Sequence, residues 1–225
     1  MSALHLSDLL RRDVSSDPVI TGVTADSRKV SPGALFVALP GTAADGRAFI
    51  PQALAQGAAA VLAPTDTPDG AAPVLVTSGD VRRAYAIAAR GFYGAQPKTC
   101  VAVTGTNGKT SVATFCRQIW AGIGHKSASM GTLGVIGQKG VKTYALTGPG
   151  LTSPDAAEAA RLMAELAAKD VTHVALEASS HGIDQRRLDG VALKAAAFTN
   201  LTQDHLDYHG TMACLLYTSP SPRDS

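Results

Sequence analysis

The run Thr99-Cys-Val-Ala-Val-Thr104 leads without interruption into Gly105-Thr-Asn-Gly-Lys109-Thr110-Ser111 and then into a stretch of helical periodicity. A short, uncharged, β-branched run reads as a buried strand, so the glycine-rich segment is a turn between a strand and a helix. In such a turn, backbone N–H groups at a helix N-terminus cradle phosphate oxygens, a lysine neutralises their charge, and the hydroxyl that follows holds Mg²⁺. This assigns Gly105, Thr106, Asn107, Gly108, Lys109, Thr110 and Ser111 to a nucleotide's phosphates, with Thr110 as a metal ligand. The usual pattern has a glycine five residues before Gly108, where this chain has Val103, so the loop is a shortened variant. Taken alone, Gly-Lys-Thr could be a tight turn with a solvated lysine, and the flanking strand and helix favour the nucleotide reading.

Outward from the loop, Val112, Phe115, Cys116, Ile119, Trp120 and Ile123 recur at helical spacing and predict a helix over 109–123 with that stripe on a core. Cys116 thereby reads as packing. A second helix is expected from Pro154 to about Lys169, with Ser153 as N-cap, Pro154 at its first position and Asp155 in its first turn. Val171 to Ala178 and Leu193 to Thr199 read as strands. Before the loop, strands are expected at 35–39, 59–62 and 73–77 and helices at 47–56, stopped by Gly57, and from an Asp80 cap to about Tyr93. Gly94-Ala-Gln-Pro-Lys98 cannot continue that helix and marks the domain boundary. The fold class is therefore α/β: a small N-terminal α/β domain, then a phosphate-loop domain with a mainly parallel sheet.

With 225 residues, 45% of them apolar and 17% charged, the chain has the composition of a soluble globular protein that needs neither metal nor disulfide to build a core. A net charge of +2 without basic blocks, and few aromatics, argue against nucleic acid as a partner. Charges interrupt the first leucines, so no signal peptide or membrane segment is expected, and three cysteines without paired spacing fit a reducing cytoplasm. Residues 214–225, with two prolines in the last six positions and no periodicity, read as a non-native tail and are excluded from fold reasoning.

Glu177 ends an expected strand near the phosphate loop. Ligands gather outside the carboxyl ends of parallel strands, so a carboxylate there can reach a metal; a surface ion pair is the alternative. His181, His205 and His209 also admit a zinc reading, although no fourth soft ligand lies at a usual spacing, and His209 reads as a structural group.

Three motifs in order, Thr104-Gly-Thr-Asn-Gly-Lys-Thr110, Glu177-Ala-Ser-Ser-His-Gly182 and Phe198-Thr-Asn-Leu-Thr-Gln-Asp-His-Leu-Asp-Tyr-His-Gly210, resemble the Mur ligases. The resemblance covers roughly Thr21 to Met212 and is nearest to the members that add the third amino acid to UDP-N-acetylmuramoyl-L-alanyl-D-glutamate. It implies a three-domain protein, of which this chain holds a uridine-binding domain at 1–95 and part of an ATP-binding central domain at 96–213. It implies ATP and Mg²⁺ as cofactors, with Lys109, Glu177 and His205 catalytic and Thr110, Glu177 and His205 as metal ligands. The implied acceptor residues are Thr152, Ser153, Ser179, Gln185 and Arg187. Ser27, within Thr24-Ala-Asp-Ser-Arg28, would bond the uracil or ribose, with Thr42, Ala43 and Ala44 lining that site. The implied partners are the UDP-muramoyl dipeptide and either meso-diaminopimelate or L-lysine, and the protein is expected to be a cytoplasmic monomer serving peptidoglycan synthesis. Other readings are a ligase that adds a dipeptide or a folate polyglutamate chain, a phosphate-loop kinase or NTPase with Glu177 as its acidic residue, and a non-catalytic nucleotide-binding module. The family's carbamylated lysine falls where this chain reads Tyr217-Thr-Ser-Pro220, so the chain as given is expected not to form an amide bond.

Overall fold

A computed structural model describes residues 4–41, 44–147 and 152–202. It divides into two compact units, with the division between Gly94 and Ala95.

The first unit runs α1 (Leu6–Leu10), β1 (Gly22–Thr24), β2 (Ala34–Val37), α2 (Ile50–Ala55), β3 (Ala60–Pro64), β4 (Leu75–Ser78) and α3 (Val81–Tyr93). Its four strands form one parallel sheet in the order β1-β2-β3-β4. Phe36, Ala38, Val61 and Ala63 pack against Ile50 and Ala53 of α2 in a common core. The helix expected at 47–56 is in two pieces, a 3-10 turn at Gly46–Phe49 and then α2, because Asp45 caps the first piece and Pro51 fits only the opening turn of the second. Asp80 accepts from the Arg83 N–H at 3.0 Å, so its cap and the helix reaching Tyr93 agree with the sequence reading.

The second unit runs β5 (Thr99–Thr104), α4 (Lys109–Gly122), β6 (Ser127–Gly131), β7 (Gly134–Lys139), β8 (Lys142–Thr147), α5 (Ala156–Ala168), β9 (His173–Glu177), α6 (Ser180–Asp184) and β10 (Ala195–Phe198). The sheet order is β10-β5-β9-β6-β7-β8. Neighbours from β10 through β6 are parallel, whereas β7 and β8 add an antiparallel meander. Side chains alternate across a strand, so each strand serves two layers. Ala128, Met130, Val174 and Leu176 share a core with Leu162, Met163 and Leu166 of α5, while Ser127 and Ser129 bond Arg117 of α4. The two helices therefore cover opposite faces.

Two sequence expectations are corrected here. The apolar stripe of α4 is not its buried face: Phe115, Ile119 and Ile123 are 58%, 62% and 68% exposed, and Ala113, Arg117 and Ala121 turn inward instead. Small alanines let the helix lie close to the sheet, and the Arg117 guanidinium is accommodated by Gln138 Oε1 at 3.0 Å and Ser129 Oγ at 2.9 Å. Burial without an acidic partner among those bonds lowers the pKa of Arg117. The second correction is the N-cap of α5, which is Asp155 rather than Ser153. Asp155 Oδ1 accepts from the Ala157 and Glu158 N–H groups, which moves the helix start past Pro154.

Candidate active site

The four parallel strands of the second unit deliver their carboxyl ends to one place. Phe198 pairs with Thr104, Val103 with Glu177, and Leu176 with Met130. The segments that leave β5, β9, β6 and β10 therefore emerge side by side, which is where open α/β sheets bind ligands.

The segment after β5 is the phosphate loop. Gly108, with φ of 87°, is the N-cap of α4, and Lys109, Thr110 and Ser111 form the helix's first turn. First-turn amides have no partner within a helix, so those of α4 are available to an anion. Thr106 and Asn107 are engaged differently: their N–H groups donate to Asn200, to its carbonyl at 2.9 Å and to Oδ1 at 3.0 Å. Thr199 Oγ1 donates to the Asn107 carbonyl at 2.7 Å, and Thr106 Oγ1 meets the Thr202 carbonyl and N–H at 3.1 and 3.0 Å. A side chain at Gly105 would strike Thr199 and Asn200, so the glycine is required by this clamp as well as by its φ of 119°. Lys109 Nζ folds back onto the carbonyls of Gly105 and Thr106, at 2.6 and 2.8 Å, which holds the ammonium inside the loop's curve.

Glu177, at the end of β9, is 4% exposed. Thr110 Oγ1 donates to its Oε2 at 2.9 Å, as does Thr132 Oγ1 at 3.2 Å, and the Thr132 N–H donates to Oε1 at 3.1 Å. A Cβ on Gly131 would overlap Glu177 Oε1, so the turn after β6 can approach the carboxylate only as glycine. Glu177 is thus buried rather than at the surface, and among the described residues hydroxyl and amide donors hold it. A buried carboxylate beside a hydroxyl suits a hard, oxygen-seeking cation such as Mg²⁺, with phosphate oxygens and water completing the coordination. Among the described residues no cluster of three His, Cys, Asp or Glu side chains could hold a metal, and His205 and His209 lie outside them.

Thr152, Ser153, Ser179, Gln185 and Arg187 converge beside Glu177. Thr152 Oγ1 lies 3.1 Å from Thr132 Oγ1. Ser153 Oγ donates to the Glu177 carbonyl at 3.2 Å and accepts from the Ser179 N–H at 3.1 Å. Ser179 Oγ caps α6 by accepting from the Gly182 N–H at 3.0 Å. Arg187 Nη1 donates to the Ser153 carbonyl at 2.7 Å, and its Nε and Nη2 grip Gln185 Oε1. The set presents hydroxyls, an amide and a guanidinium, a chemistry suited to peptide and carboxylate groups. Thr199 and Asn200 lie within the third sequence motif but outside the residues that the resemblance assigns to the site, and nothing in the residues around Thr132 marks it.

In the first unit, Ser27 is buried and its hydroxyl donates to Gln52 Oε1 at 2.9 Å. Pro40 and Asp45 pair as an antiparallel bridge flanking the Gly41 to Ala44 stretch, in which Ala44 is exposed and Thr42 and Ala43 lie outside the described residues. Among the described residues, no helix is long and apolar enough to cross a membrane.

Residues 103–218 match the Mur ligase middle domain, and residues 19–93 match the domain described as Mur ligase family, catalytic domain. A UDP-N-acetylmuramoyl-L-alanyl-D-glutamate--2,6-diaminopimelate ligase of Caulobacter vibrioides is 64% identical over 92% of this chain and 43% of its own length. The ligase of the same name from Rhizobium meliloti is 58% identical over 92% of this chain and 42% of its own. Among solved structures, one of a ligase with that name superposes with a TM-score of 0.81 at 29% identity, covering 96% of this chain and 44% of that one. A MurF ligase from Thermotoga maritima, solved with ADP, shares the fold at a TM-score of 0.56 and 21% identity, over 94% of this chain and 42% of its own. The chain thus spans about two-fifths of the length of these relatives. With one family domain matching more than half of its residues and a second matching most of the remainder, the chain belongs to the Mur ligase family.

Proposed function

We propose that this chain supplies the uridine-binding domain, residues 1–95, and the ATP-binding part, residues 96–213, of a cytoplasmic, ADP-forming ligase of peptidoglycan precursor synthesis. The ligase would join 2,6-diaminopimelate to UDP-N-acetylmuramoyl-L-alanyl-D-glutamate. The names of its high-identity relatives favour diaminopimelate over lysine. The observation that carries the reading is the bond from Thr110 to Glu177, which joins the phosphate loop to a buried carboxylate that Thr132 links to Thr152.

In this reading the first-turn amides of α4 and the Lys109 ammonium receive the phosphates of ATP, at the cost of the two loop carbonyls that now hold Nζ. Thr110, Glu177 and His205 would hold Mg²⁺, which neutralises charge on the phosphates when bound. Thr152, Ser179, Gln185 and Arg187 would orient the dipeptide so that its D-glutamyl side-chain carboxylate faces the γ-phosphorus. An oxygen of that carboxylate attacks phosphorus as the bond to the ADP oxygen breaks. The amine of diaminopimelate then attacks the acyl carbon, phosphate leaves with the bonding pair, and the nitrogen loses a proton. The protein's contribution to the first step is positioning and charge stabilisation. Ser27 and the Thr42, Ala43 and Ala44 stretch would take the uridine.

Hydrogen exchange on the purified chain tests the assignment of ligands. Mg·ATP is expected to protect Gly105 to Ser111, and UDP to protect segments before Gly94. Protection by UDP confined to the phosphate loop would overturn the uridine assignment, and absence of protection there by Mg·ATP would overturn the ATP site.

A further inference from the structure

Thr132 stands at the centre of the site, although neither the phosphate loop nor the acceptor set includes it. It follows Gly131 at the end of β6 and holds both oxygens of the buried Glu177 carboxylate, Oε1 through its N–H and Oε2 through its hydroxyl. A threonine hydroxyl has one proton. Because that proton goes to Glu177, the 3.1 Å contact between Thr132 and Thr152 must be donated by Thr152. A directed relay therefore runs from Thr152 through Thr132 to Glu177, whose Oε2 also receives Thr110.

We infer that Thr132 is a positioning residue: its two bonds fix the plane of the Glu177 carboxylate toward the Mg²⁺ of a bound nucleotide, and its link to Thr152 ties that orientation to the acceptor segment. The inference rests on the ATP-site reading above. A carboxylate held on both oxygens by one residue cannot rotate without breaking both bonds, whereas Thr110 alone would leave it free to turn about its own axis. Partners that hydrogen-bond a metal-binding carboxylate tune metal affinity by about 10–100-fold.

Calorimetric titration of the chain with a non-hydrolysable ATP analogue, in Mg²⁺ and separately in EDTA, tests this. Thr132→Val removes the hydroxyl, keeps the N–H and preserves the shape. It is expected to reduce the gain in affinity that Mg²⁺ provides by about tenfold, at the low end of that range. Affinity in EDTA should be unchanged, and Thr132→Ser should restore most of the gain. An unchanged Mg²⁺-dependent gain, an equal loss with and without metal, or failure of serine to restore would overturn the inference while leaving the ATP site standing. If the valine variant misfolds by circular dichroism, Thr132→Ala is read by the same criteria. No binding by the unsubstituted chain would defeat the ATP-site reading and this inference together.

Discussion

Thr110 Oγ1 donates to Glu177 Oε2 across 2.9 Å although the two residues are 67 positions apart. That bond brings the first turn of α4 to the end of β9, and the adjacency of β5 and β9 makes it possible. Glu177→Gln preserves size but replaces one acceptor oxygen with an NH₂ group. With the NH₂ toward the Thr132 N–H two donors face each other, and with it toward the Thr110 and Thr132 hydroxyls both must turn from donor to acceptor. The variant is expected to lose most of the Mg²⁺-dependent gain in nucleotide affinity, by about tenfold or more, while binding in EDTA changes little. Equal losses under both conditions in calorimetry would count against a metal role for Glu177.

Lys109→Ala tests the loop itself. Among the described residues Nζ bonds the Gly105 and Thr106 carbonyls of its own loop, so the fold should survive its removal. Phosphate binding should not, because truncating one partner of a hydrogen-bonded charge pair costs on the order of 2–5 kcal/mol. The expected outcome is a wild-type circular dichroism spectrum with ATP-analogue binding weakened by that amount.

These two residues were legible in the sequence for different reasons. The phosphate loop is local: strand, glycine turn and helix follow one another, and neighbours in the chain determine the result. Asp80 was legible on the same ground, as a cap with its acceptor three residues from its donor. Glu177 could be placed at a strand end, but only the pairing of β9 with β5 and β6 sets it against Thr110 and Thr132. Thr132 depends wholly on that pairing, so nothing in its neighbours revealed it. The buried face of α4 was misread because apolar periodicity ranks Phe115 and Ile119 above Ala113 and Ala121, whereas close approach to a sheet favours small side chains. Arg117 points inward only because Ser129 and Gln138 from β6 and β7 receive it.

Gly131→Ala isolates the close approach of the β6 turn to Glu177. The added methyl meets Oε1 and must push either the turn or the carboxylate aside. Overpacking of this kind costs about 1–3 kcal/mol. Urea unfolding is expected to shift to lower midpoints, and the Mg²⁺-dependent gain in nucleotide affinity should fall as it does for Glu177→Gln. A destabilised variant with an intact Mg²⁺ response would show that the carboxylate had kept its place.

In the first unit, the side-chain bonds of Arg28 hold the Asp26 carboxyl down at about 2, and the Arg28 N–H reinforces them. A carboxylate depressed in the folded state stabilises the fold fully above its ordinary value, and that contribution disappears as pH falls toward the folded value. The Asp26 contribution is therefore expected to fade between pH 3.8 and about 2. Asp26→Asn should flatten that part of the acid unfolding curve. Arg28 is largely exposed, so the effect should be small and should shrink further in high salt. An unchanged acid limb in the variant would remove Asp26 from the set of stabilising carboxylates.

Ser153 provides the sharpest separation between structural and ligand-binding roles. Its hydroxyl proton goes to the Glu177 carbonyl, one lone pair accepts the Ser179 N–H, and Ser179 Oγ lies 3.1 Å away as a further partner. With its proton committed, Ser153 can meet Ser179 Oγ only as an acceptor, which fills its second lone pair. At 2% exposure its side chain has neither surface nor bonding capacity left for a ligand, although its carbonyl anchors Arg187. Ser153→Ala is therefore expected to act through the fold, taking one hydrogen-bond partner from the Glu177 carbonyl and one from the half-buried Ser179 N–H, at a cost of about 1–3 kcal/mol. Urea unfolding should show the loss directly. Arg187→Met provides the contrast, since it removes a guanidinium suited to a substrate carboxylate and should weaken binding of the UDP-muramoyl dipeptide more than it lowers stability. If Ser153→Ala left the unfolding midpoint unchanged and abolished dipeptide binding, the serine would be a direct ligand and the hydrogen bonds assigned to it here would have to rearrange in the complex.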